Sequence, residues 1–580
     1  MVPVTANLKA AVRNFGRHWR SFNPDRDPSS MRIWADALCI NQNDTDEISS
    51  QVRLMESVYS CPDLVMAWLG SEDQKTSLAL KMLCHFVGEF QAAKYDPKIL
   101  PDLHWLKNHP YLWQIEENTP EGDQVGNPVW DAIFFLNSLP YWRRVWTLQE
   151  QVLAPALVFS CPSTAVSGAN IFNALFVLGR LRAQLMGNDK IPDFIPTRLW
   201  RLFGLPGHVG QDPIQHLVRV AMLYSTVYRA QRLPQTAEDY RKLEVQRLEY
   251  LTRFPFEATE LKDHVYGILG LLNPRIKSRL KVDYSNRMTV NSLYLDFTSL
   301  LLEESKRLNG TALRFLYLAG VGSDFGLPSW VPNYPAASKN VWHASWDTFA
   351  KLVPEEKACK LNSPSICGLI LGLSGARCLV VSRLGPTLCP LFSRENEHLI
   401  VELLKDSETR FGHLWSFFRL ALGITNETYV NDIWHFVLLL EFAQSMETFL
   451  GGSCPSYLMG ITLENTRGLE NNFQIRLNEH MVSLQMREKA RAWVSSALAM
   501  DRSMVAFQTN ETFLGVGPIG VREGDQIFSL LGFPSFAVLR KAGSRYRFVG
   551  PCNILEPKFH SPGTMKRLPS HGGYFNLEIV

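Results

Sequence analysis

The stretch Met31–Gly70, MRIWADALCINQNDTDEISSQVRLMESVYSCPDLVMAWLG, decides the fold of the N-terminal part of this protein. Two short runs within it, Ile33–Ile40 and Leu64–Leu69, are almost continuously apolar, which is typical of strands buried on both faces of a sheet. A helix that connects two such strands makes them parallel, with a right-handed crossover. The stretch therefore predicts a parallel α/β unit, with Ile33–Ile40 as its first strand and Leu64–Leu69 as its second.

The residues between the two predicted strands have the pattern of an amphipathic helix. Asp44 and Glu47 have the spacing of an N-cap residue and its reciprocal N3 carboxylate. Apolar or aromatic residues then recur every three or four positions on one helix face: Ile48, Val52, Met55 and Tyr59. Pro62 has no backbone N–H to continue a helix. This pattern predicts a helix between Asp44 and Pro62 whose apolar face covers the sheet.

Polar side chains occur within and directly after the first predicted strand. Asp36 interrupts the apolar run, and Asn41 and Gln42 begin the loop after it. Open α/β sheets form their ligand crevices at the carboxyl ends of the strands, so these three residues are candidate substrate-binding residues. Structural roles compete, because a buried Asp36 would need a hydrogen-bond partner, and because asparagine and its neighbours commonly form turns.

A second polar set occurs in Trp142–Ala154, WRRVWTLQEQVLA, which we predict to be helical. Arg143, Thr147 and Glu150 have i, i+4 and i+7 spacing and would share one helix face, with Trp146 one turn before Glu150. Glu150 is therefore the candidate catalytic carboxylate, and Arg143 and Trp146 are candidate substrate-binding residues. The competing interpretation is a structural ion pair between Arg143 and Glu150, since such pairs are common outside active sites.

Composition restricts the class of protein. At 580 residues the chain is too long for one hydrophobic core, and 46% hydrophobic with 20% charged residues is typical of folded domains. The 59 basic and 56 acidic residues nearly balance, giving a net charge of +3. Such a balance gives no electrostatic reason to expect a nucleic-acid partner.

No motif indicates a metal or a resident cofactor. The ten cysteines are scattered without a CxxC pair, the histidines have no metal-ligand spacing, and no P-loop, GxGxxG or GxSxG motif occurs. Cys39 is predicted to be a buried structural thiol, since Leu38 and Ile40 flank it. The longest apolar runs are less than half of the ~20 residues that a membrane span requires, and no signal peptide is visible. We expect a cytoplasmic protein without a membrane span.

Three blocks in the same order resemble the fungal heterokaryon-incompatibility (HET) domain and its downstream region. The first comprises ADALCINQ, SQVRLMESVYS and AWLG within Met31–Gly70, the second is Trp142–Ala154, and the third is DHVYGILGL at Asp263–Leu271. Leu327–Tyr334, LPSWVPNY, is similar to a further segment of full-length family members. Three ordered blocks of this length are far more specific than one short motif.

The resemblance implies a fold and an activity. HET domains are similar, at the level of remote fold similarity, to Toll/interleukin-1 receptor (TIR) domains, flavodoxin-like sheets of which some cleave NAD with a glutamate. The order of Trp146 and Glu150 matches the TIR pattern, so NAD is implied as a substrate. Glu150 would stabilise the oxocarbenium-like state while Trp146 stacks on the leaving base. The implied role is fungal non-self recognition and programmed cell death, a form of innate immunity.

Two alternatives to an NAD-cleaving enzyme stay open. In one, the domain is a death-fold interaction module that signals through self-assembly or protein partners without catalysis. In the other, the chain is an inactive, drifted paralogue. The second alternative is favoured by the N-terminus, because the family places a strand-and-turn block, Y.ALSY.WG, ahead of its first helix and this chain starts after it. The resemblance therefore implies an N-terminally incomplete domain without its first strand.

Changes in pattern along the chain predict four regions. Residues 1–160 form the TIR-like α/β HET domain, 161–395 a helical and mixed middle region, and 396–505 a helical region. Residues 506–580 consist of short β-prone runs separated by Gly, Pro and Asp, which predict a small β-rich module. The predicted fold class is thus an α/β N-terminal domain, a mainly helical middle and a C-terminal β module.

Overall fold

The computed structural model of the chain describes the following residues: 5–71, 74–92, 107–115, 126–186, 193–196, scattered positions between 217 and 251, 256–308, 313–320, 326–337, 364–387, 504–511, 514–533, 536–555 and 575–580. The helical region predicted at 396–505 therefore lies almost wholly outside the described residues.

The helices of the N-terminal half, α1 to α7, are Ala6–Phe22, Asp36–Cys39, Thr45–Ser60, Gln74–Ala92, Pro128–Ser138, Thr147–Leu153 and Gly168–Met186. Helices α8 to α11 are Asp263–Tyr266, Pro274–Lys277, Val290–Arg307 and Tyr334–Ala337. Short 3₁₀ helices are Pro28–Ser30, Pro110–Leu112, Pro140–Arg143, Leu269–Leu271 and Arg314–Leu318. The first sheet contains β1 (Val65–Trp68), β2 (Leu157–Ser160) and β3 (Ala165–Ser167).

This first sheet is mixed. Strand β1 pairs in parallel with β2, and β3 is antiparallel to β2. The strand predicted at Leu64–Leu69 is thus confirmed, and the sequence predicts Ile33–Ile40 as its parallel partner. Its partner is Leu157–Ser160, however, and the crossover between them contains α4, α5 and α6. The TIR/flavodoxin-like topology stays a prediction.

The strand predicted at Ile33–Ile40 is wrong. Residues 31–35 have no regular structure, and Asp36–Cys39 is the one-turn helix α2, closed by bonds from Cys39 N to Ala35 O and from Ile40 N to Asp36 O. Asp36 favours this turn because its carboxylate accepts the backbone N–H of Ala37 at 2.7 Å. A short apolar run does not distinguish a strand from a helical turn by periodicity. Cys39, predicted to be buried, is exposed.

Helix α3 agrees with its sequence pattern. Asp44 caps it by accepting the N–H groups of Asp46 and Glu47, and Val52 and Met55 are buried against the core. The reciprocal bond of Glu47 differs from the prediction, because its carboxylate accepts the N–H of Asn41 at 3.0 Å rather than that of Asp44. Glu47 therefore fixes the preceding loop to the helix.

The single helix predicted across Trp142–Ala154 is also wrong. The 3₁₀ helix ends at Arg143, Arg144 is extended, and α6 begins only at Thr147. The interruption is caused by a distant segment, since Glu257 N donates to Arg143 O at 2.7 Å and Val145 N donates to Glu257 O at 3.0 Å. Arg143 therefore does not share a helix face with Glu150.

A second, eight-stranded sheet forms the C-terminal β module and confirms the β-rich prediction. Its strands β4 to β11 are Ser365–Cys367, Ile370–Thr387, Met504–Thr509, Leu514–Pro518, Gln526–Leu530, Phe536–Ala542, Arg545–Leu555 and Phe575–Ile579. The long strand β5 pairs with β6, β8 and β11. The module is therefore larger than predicted, because β4 and β5 come from the middle region.

A large hydrophobic core extends from the first sheet to the C-terminal module, and a second, smaller core lies within that module. Trp130, Trp142 and Phe159 are fully buried in the large core beside the first sheet, and Phe528 is buried in it from the second. Such continuous close packing makes the position of α6 sensitive to changes in the segments that contact it.

Candidate functional site

Glu150, at the first turn of α6, is half-buried and bonded to a tyrosine. The hydroxyl of Tyr141, in the preceding 3₁₀ helix, donates to Glu150 Oε2 at 3.0 Å. Burial raises the pKa of Glu150 to about 6, although the bond from Tyr141 and the positive charge of Arg144 act in the opposite direction. A carboxyl group with this pKa exchanges protons readily near neutral pH, as general acids and bases must.

Two further groups approach Glu150 from the first polar block. The hydroxyl of Tyr59, at the end of α3, also stabilises the Glu150 carboxylate, and the negative charge of Asp36 raises the pKa of Glu150 further. Burial and the Glu150 charge raise the pKa values of both Tyr59 and Tyr141, so both hydroxyls keep their protons as donors. The structure thus brings Asp36 and Glu150, predicted from separate stretches, to one place.

An aromatic side chain and a cation border this group. Trp34 is 37% exposed and contacts the Tyr59 ring edge to face, with 6.1 Å between ring centroids. Arg144 is exposed, and its charge acts on Glu150, Tyr59 and Tyr141. We define Trp34, Asp36, Tyr59, Tyr141, Arg144 and Glu150 as the Glu150 cluster.

Arg143 and Trp146 use their polar groups elsewhere. Arg143 lies 3.5 Å from a carboxylate oxygen of Glu257 and donates to the carbonyl of Ser138 at 2.9 Å. The indole N–H of Trp146 donates to Asp263 Oδ2 at 2.9 Å. The alternative of an Arg143–Glu150 ion pair is therefore wrong. The substrate-binding roles of Arg143 and Trp146 stay predictions, and the polar groups of both side chains bond to residues other than Glu150.

Asn41 and Gln42 stabilise their own loop. The side-chain oxygen of Asn41 accepts the N–H of Asn43 at 3.1 Å, and the side chain of Gln42 donates to the carbonyl of Asp36 at 3.1 Å. Both are exposed, and these contacts are those of turn residues. Their contact with a substrate stays a prediction.

Neither a metal centre nor a membrane anchor accompanies the cluster in the described part of the chain. Among the described residues, no group of three or more His, Cys, Asp or Glu side chains is arranged to hold a metal ion. None of the helices within the described ranges is long and apolar enough to cross a membrane.

Comparison with known proteins identifies the N-terminal part. Residues 2–150 match the family model described as heterokaryon incompatibility protein (HET). This part of the chain is a HET domain. The match includes the first sequence block and ends at Glu150, within the second.

A relative is similar over a longer range than the HET domain. Heterokaryon incompatibility protein 6, OR allele, of Neurospora crassa is 25% identical over 355 residues. The alignment covers 57% of this chain and 49% of that protein, so the chain matches about half of the relative's length. No solved structure matches the chain.

Four members of the Glu150 cluster are not evident from the sequence: Trp34, Tyr59, Tyr141 and Arg144. Tyr59 belongs to the apolar face of α3, and Tyr141 and Arg144 have no spacing that marks them as functional. Their grouping depends on α3 packing against α6, which brings together positions far apart in the chain. Only the high density of aromatic and charged residues in PYWRR, Pro140–Arg144, draws attention to two of them.

Proposed function

We propose that this protein acts in fungal heterokaryon incompatibility, and that its HET domain causes cell death by hydrolysing the bond between nicotinamide and ribose in NAD. The observation that carries the proposal is the half-buried Glu150 carboxylate with a pKa of about 6, bonded to Tyr141 and close to Asp36. The role in incompatibility is supported by the HET match and by the name of the Neurospora relative.

The reaction requires few groups. The C–N bond breaks with its electron pair leaving on neutral nicotinamide, and the positive charge develops on the ribose ring. Glu150, ionised about ten to one at pH 7 for a pKa of about 6, stabilises that charge. Water then adds to the ribose carbon, and its proton passes to a carboxylate of the cluster or to solvent.

The surroundings of Glu150 suit a nucleotide substrate. Arg144 supplies a positive charge at the edge of the cluster, where a phosphate can bind. Trp34 offers an exposed indole on which a base can stack. Tyr141 keeps the carboxylate in place through its hydrogen bond, and the hydroxyl of Tyr59 stabilises the ionised carboxylate.

The test compares the full chain with Glu150→Gln, which removes the charge at nearly constant volume. Purified protein is incubated with NAD, nicotinamide release is measured, and both forms are expressed in a fungal host. We expect Glu150→Gln to abolish nicotinamide release and killing. Asp46→Asn, an exposed carboxylate of α3 outside the cluster, is the matched control and should retain both. Killing by Glu150→Gln with unchanged cellular NAD would overturn the enzymatic proposal.

An interaction module is the second candidate, and a different observation favours it. Trp34, a member of the cluster, is 37% exposed, and Ile33 and Leu38, which lie within two residues of cluster members in the sequence, are 36% and 41% exposed. Exposed apolar side chains that lie close together are common in protein contact surfaces. If the domain kills by assembly, Leu38→Asp should abolish killing while Glu150→Gln leaves it intact.

A further inference from the structure

The helix that bears Glu150 is covered by a segment far downstream of the HET match. The match ends at residue 150, whereas α6 continues to Leu153 and contacts the 3₁₀ helix Leu269–Leu271. Residues 256–285, called the docking segment here, contain this 3₁₀ helix and helices α8 and α9. The docking segment therefore forms part of the surroundings of the HET domain.

The docking segment holds α6 by three sets of hydrogen bonds. Glu257 exchanges backbone bonds with Arg143 and Val145. Asp263 accepts the indole N–H of Trp146 at 2.9 Å, across 117 positions of the chain. Gln149, only 1% exposed, donates its side-chain amide to the carbonyl of Gly267 at 2.9 Å. Each contact fixes a residue directly before or within the first turn of α6.

The same segment also holds α3. The backbone N–H of Tyr284 donates to the hydroxyl of Ser49 at 2.9 Å, and Lys277 forms an ion pair with Glu56. The hydroxyl of Tyr284 donates to the other oxygen of Asp263 at 2.5 Å. Asp263 therefore receives one hydrogen bond from Tyr284, which also contacts α3, and one from Trp146, the residue directly before α6. Its two carboxylate oxygens join the two helices.

Two glycines allow the segment to approach α6 closely. A Cβ atom on Gly267 would lie 2.7 Å from both methyl carbons of Val145, and one on Gly270 would lie 2.4 Å from the side-chain oxygen of Gln149. Real Cβ contacts are essentially never this short. Gly267 has a φ of −67°, which any residue adopts, so close packing rather than backbone freedom requires glycine there.

We propose that the docking segment is a positioning element of the HET domain, and that Asp263 sets the separation between Tyr59 on α3 and Glu150 on α6. The Glu150 cluster then requires residues outside the HET family match, and the domain acts as one unit with residues 256–285. Asp263 has this role whether or not the cluster cleaves NAD. The positioning role can therefore fail separately from the proposed function.

The test follows the ionisation of Glu150 in the full chain labelled with 3-fluorotyrosine. The fluorine resonance of Tyr141, assigned by its loss in Tyr141→Phe, should shift with pH with a midpoint of about 6, and Glu150→Gln should abolish that shift. The groups that face Glu150 are Tyr141, Tyr59, Arg144 and Asp36. The pKa of Glu150 is about 6, so we assign the titration midpoint near pH 6 to Glu150. Because burial raises the pKa of Glu150, the midpoint of this titration measures how far the surrounding protein shields the Glu150 carboxyl group from water.

The decisive variant is Asp263→Ala, which removes both hydrogen bonds. We expect the Tyr141 midpoint to move from about 6 toward 4.5, the ordinary value for glutamate, as α6 separates from α3 and Glu150 becomes solvated. Glu303→Gln breaks an exposed ion pair with Arg279 of the same segment and should leave the midpoint unchanged. An unchanged midpoint in a folded Asp263→Ala protein would overturn the proposal.

Two milder variants keep the test decisive if Asp263→Ala does not fold. Trp146→Phe removes only one donor to Asp263 and keeps a ring in place. Gly270→Ala adds one methyl group against Gln149, which must then shift. Both should lower the midpoint in the same direction, and an unchanged midpoint in both folded variants would contradict the positioning role.

Discussion

The hydroxyl of Tyr141 donates to Glu150 Oε2 at 3.0 Å, and both side chains are half-buried where the 3₁₀ helix Pro140–Arg143 leads into α6. This bond stabilises the ionised form of Glu150, while burial favours the neutral form. The pKa of about 6 is the result of these opposing effects. Changing either one should move the ionisation of Glu150 in a known direction.

Tyr141→Phe should raise the pKa of Glu150 from about 6 by roughly one unit, because a hydrogen bond to a charged group contributes about 1.5 kcal/mol or more. The measurement is the pH-dependent fluorine resonance of 3-fluorotyrosine at Tyr59, and the proposed NAD-cleaving activity should shift to higher pH with it. Tyr546→Phe removes a tyrosine hydroxyl from strand β10 of the C-terminal sheet, outside the Glu150 cluster and the docking segment, and serves as the control. A lower midpoint in Tyr141→Phe would contradict the role of this bond.

Glu150→Gln should stabilise the folded protein at neutral pH. The folded-state pKa of Glu150 is raised from 4.5 to about 6, so the stability that this group contributes is fully present below pH 4.5 and is lost as pH rises through about 6. The loss is about 2 kcal/mol, and Gln avoids it.

This effect can be measured by thermal melting of both proteins at two pH values. Glu150→Gln should melt at a higher temperature than the wild type at about pH 7.5 and at a similar temperature at about pH 4. Equal melting at both pH values would mean that Glu150 is solvated like an ordinary surface carboxylate. A stabilising substitution at a candidate catalytic residue would fit the common conflict between activity and stability.

Some of this fold can be predicted from local sequence, and some cannot. Helix α3 is predictable because its cap and its apolar period are local signals, and they agree with each other. The strand predicted at Ile33–Ile40 is wrong. That segment would form a strand only by pairing with Val65–Trp68, and a different segment takes this place in the sheet. That partner, Leu157–Ser160, is supplied by a stretch about ninety residues later in the chain.

The candidate site divides in the same way. Glu150 and Asp36 are chemically conspicuous as carboxylates, Asp36 within a predicted strand and Glu150 on one face of a predicted helix, and the structure brings them together. The predicted position of Arg143 is wrong because Glu257, which no local pattern connects to it, interrupts the helix. Tyr59 and Tyr141 are ordinary aromatic residues of amphipathic segments, and only tertiary packing aims their hydroxyls at Glu150.

Met55→Asp should unfold the HET domain. Met55 is 5% exposed on the inner face of α3, and an unpaired buried charge there costs several kcal/mol. Leu54→Asp is the matched control, because Leu54 precedes it on the same helix and is 51% exposed. Hydrogen exchange of α3 peptides in the full chain should become fast in Met55→Asp and stay slow in Leu54→Asp. Equal protection in the two variants would contradict the observed orientation of α3.

Asp525→Ala should destabilise the C-terminal sheet far more than Glu578→Ala. Asp525 is 3% exposed, binds Arg540 through two contacts of 2.8 Å and accepts the N–H of Arg522, so its removal leaves Arg540 without its charge partner at a cost of about 3 kcal/mol. The Glu578–Arg545 pair is exposed and contributes about 1 kcal/mol at most. Hydrogen exchange of strands β8 and β9 measures the difference. Similar exchange in both variants would show that the buried pair adds no more stability than a surface one.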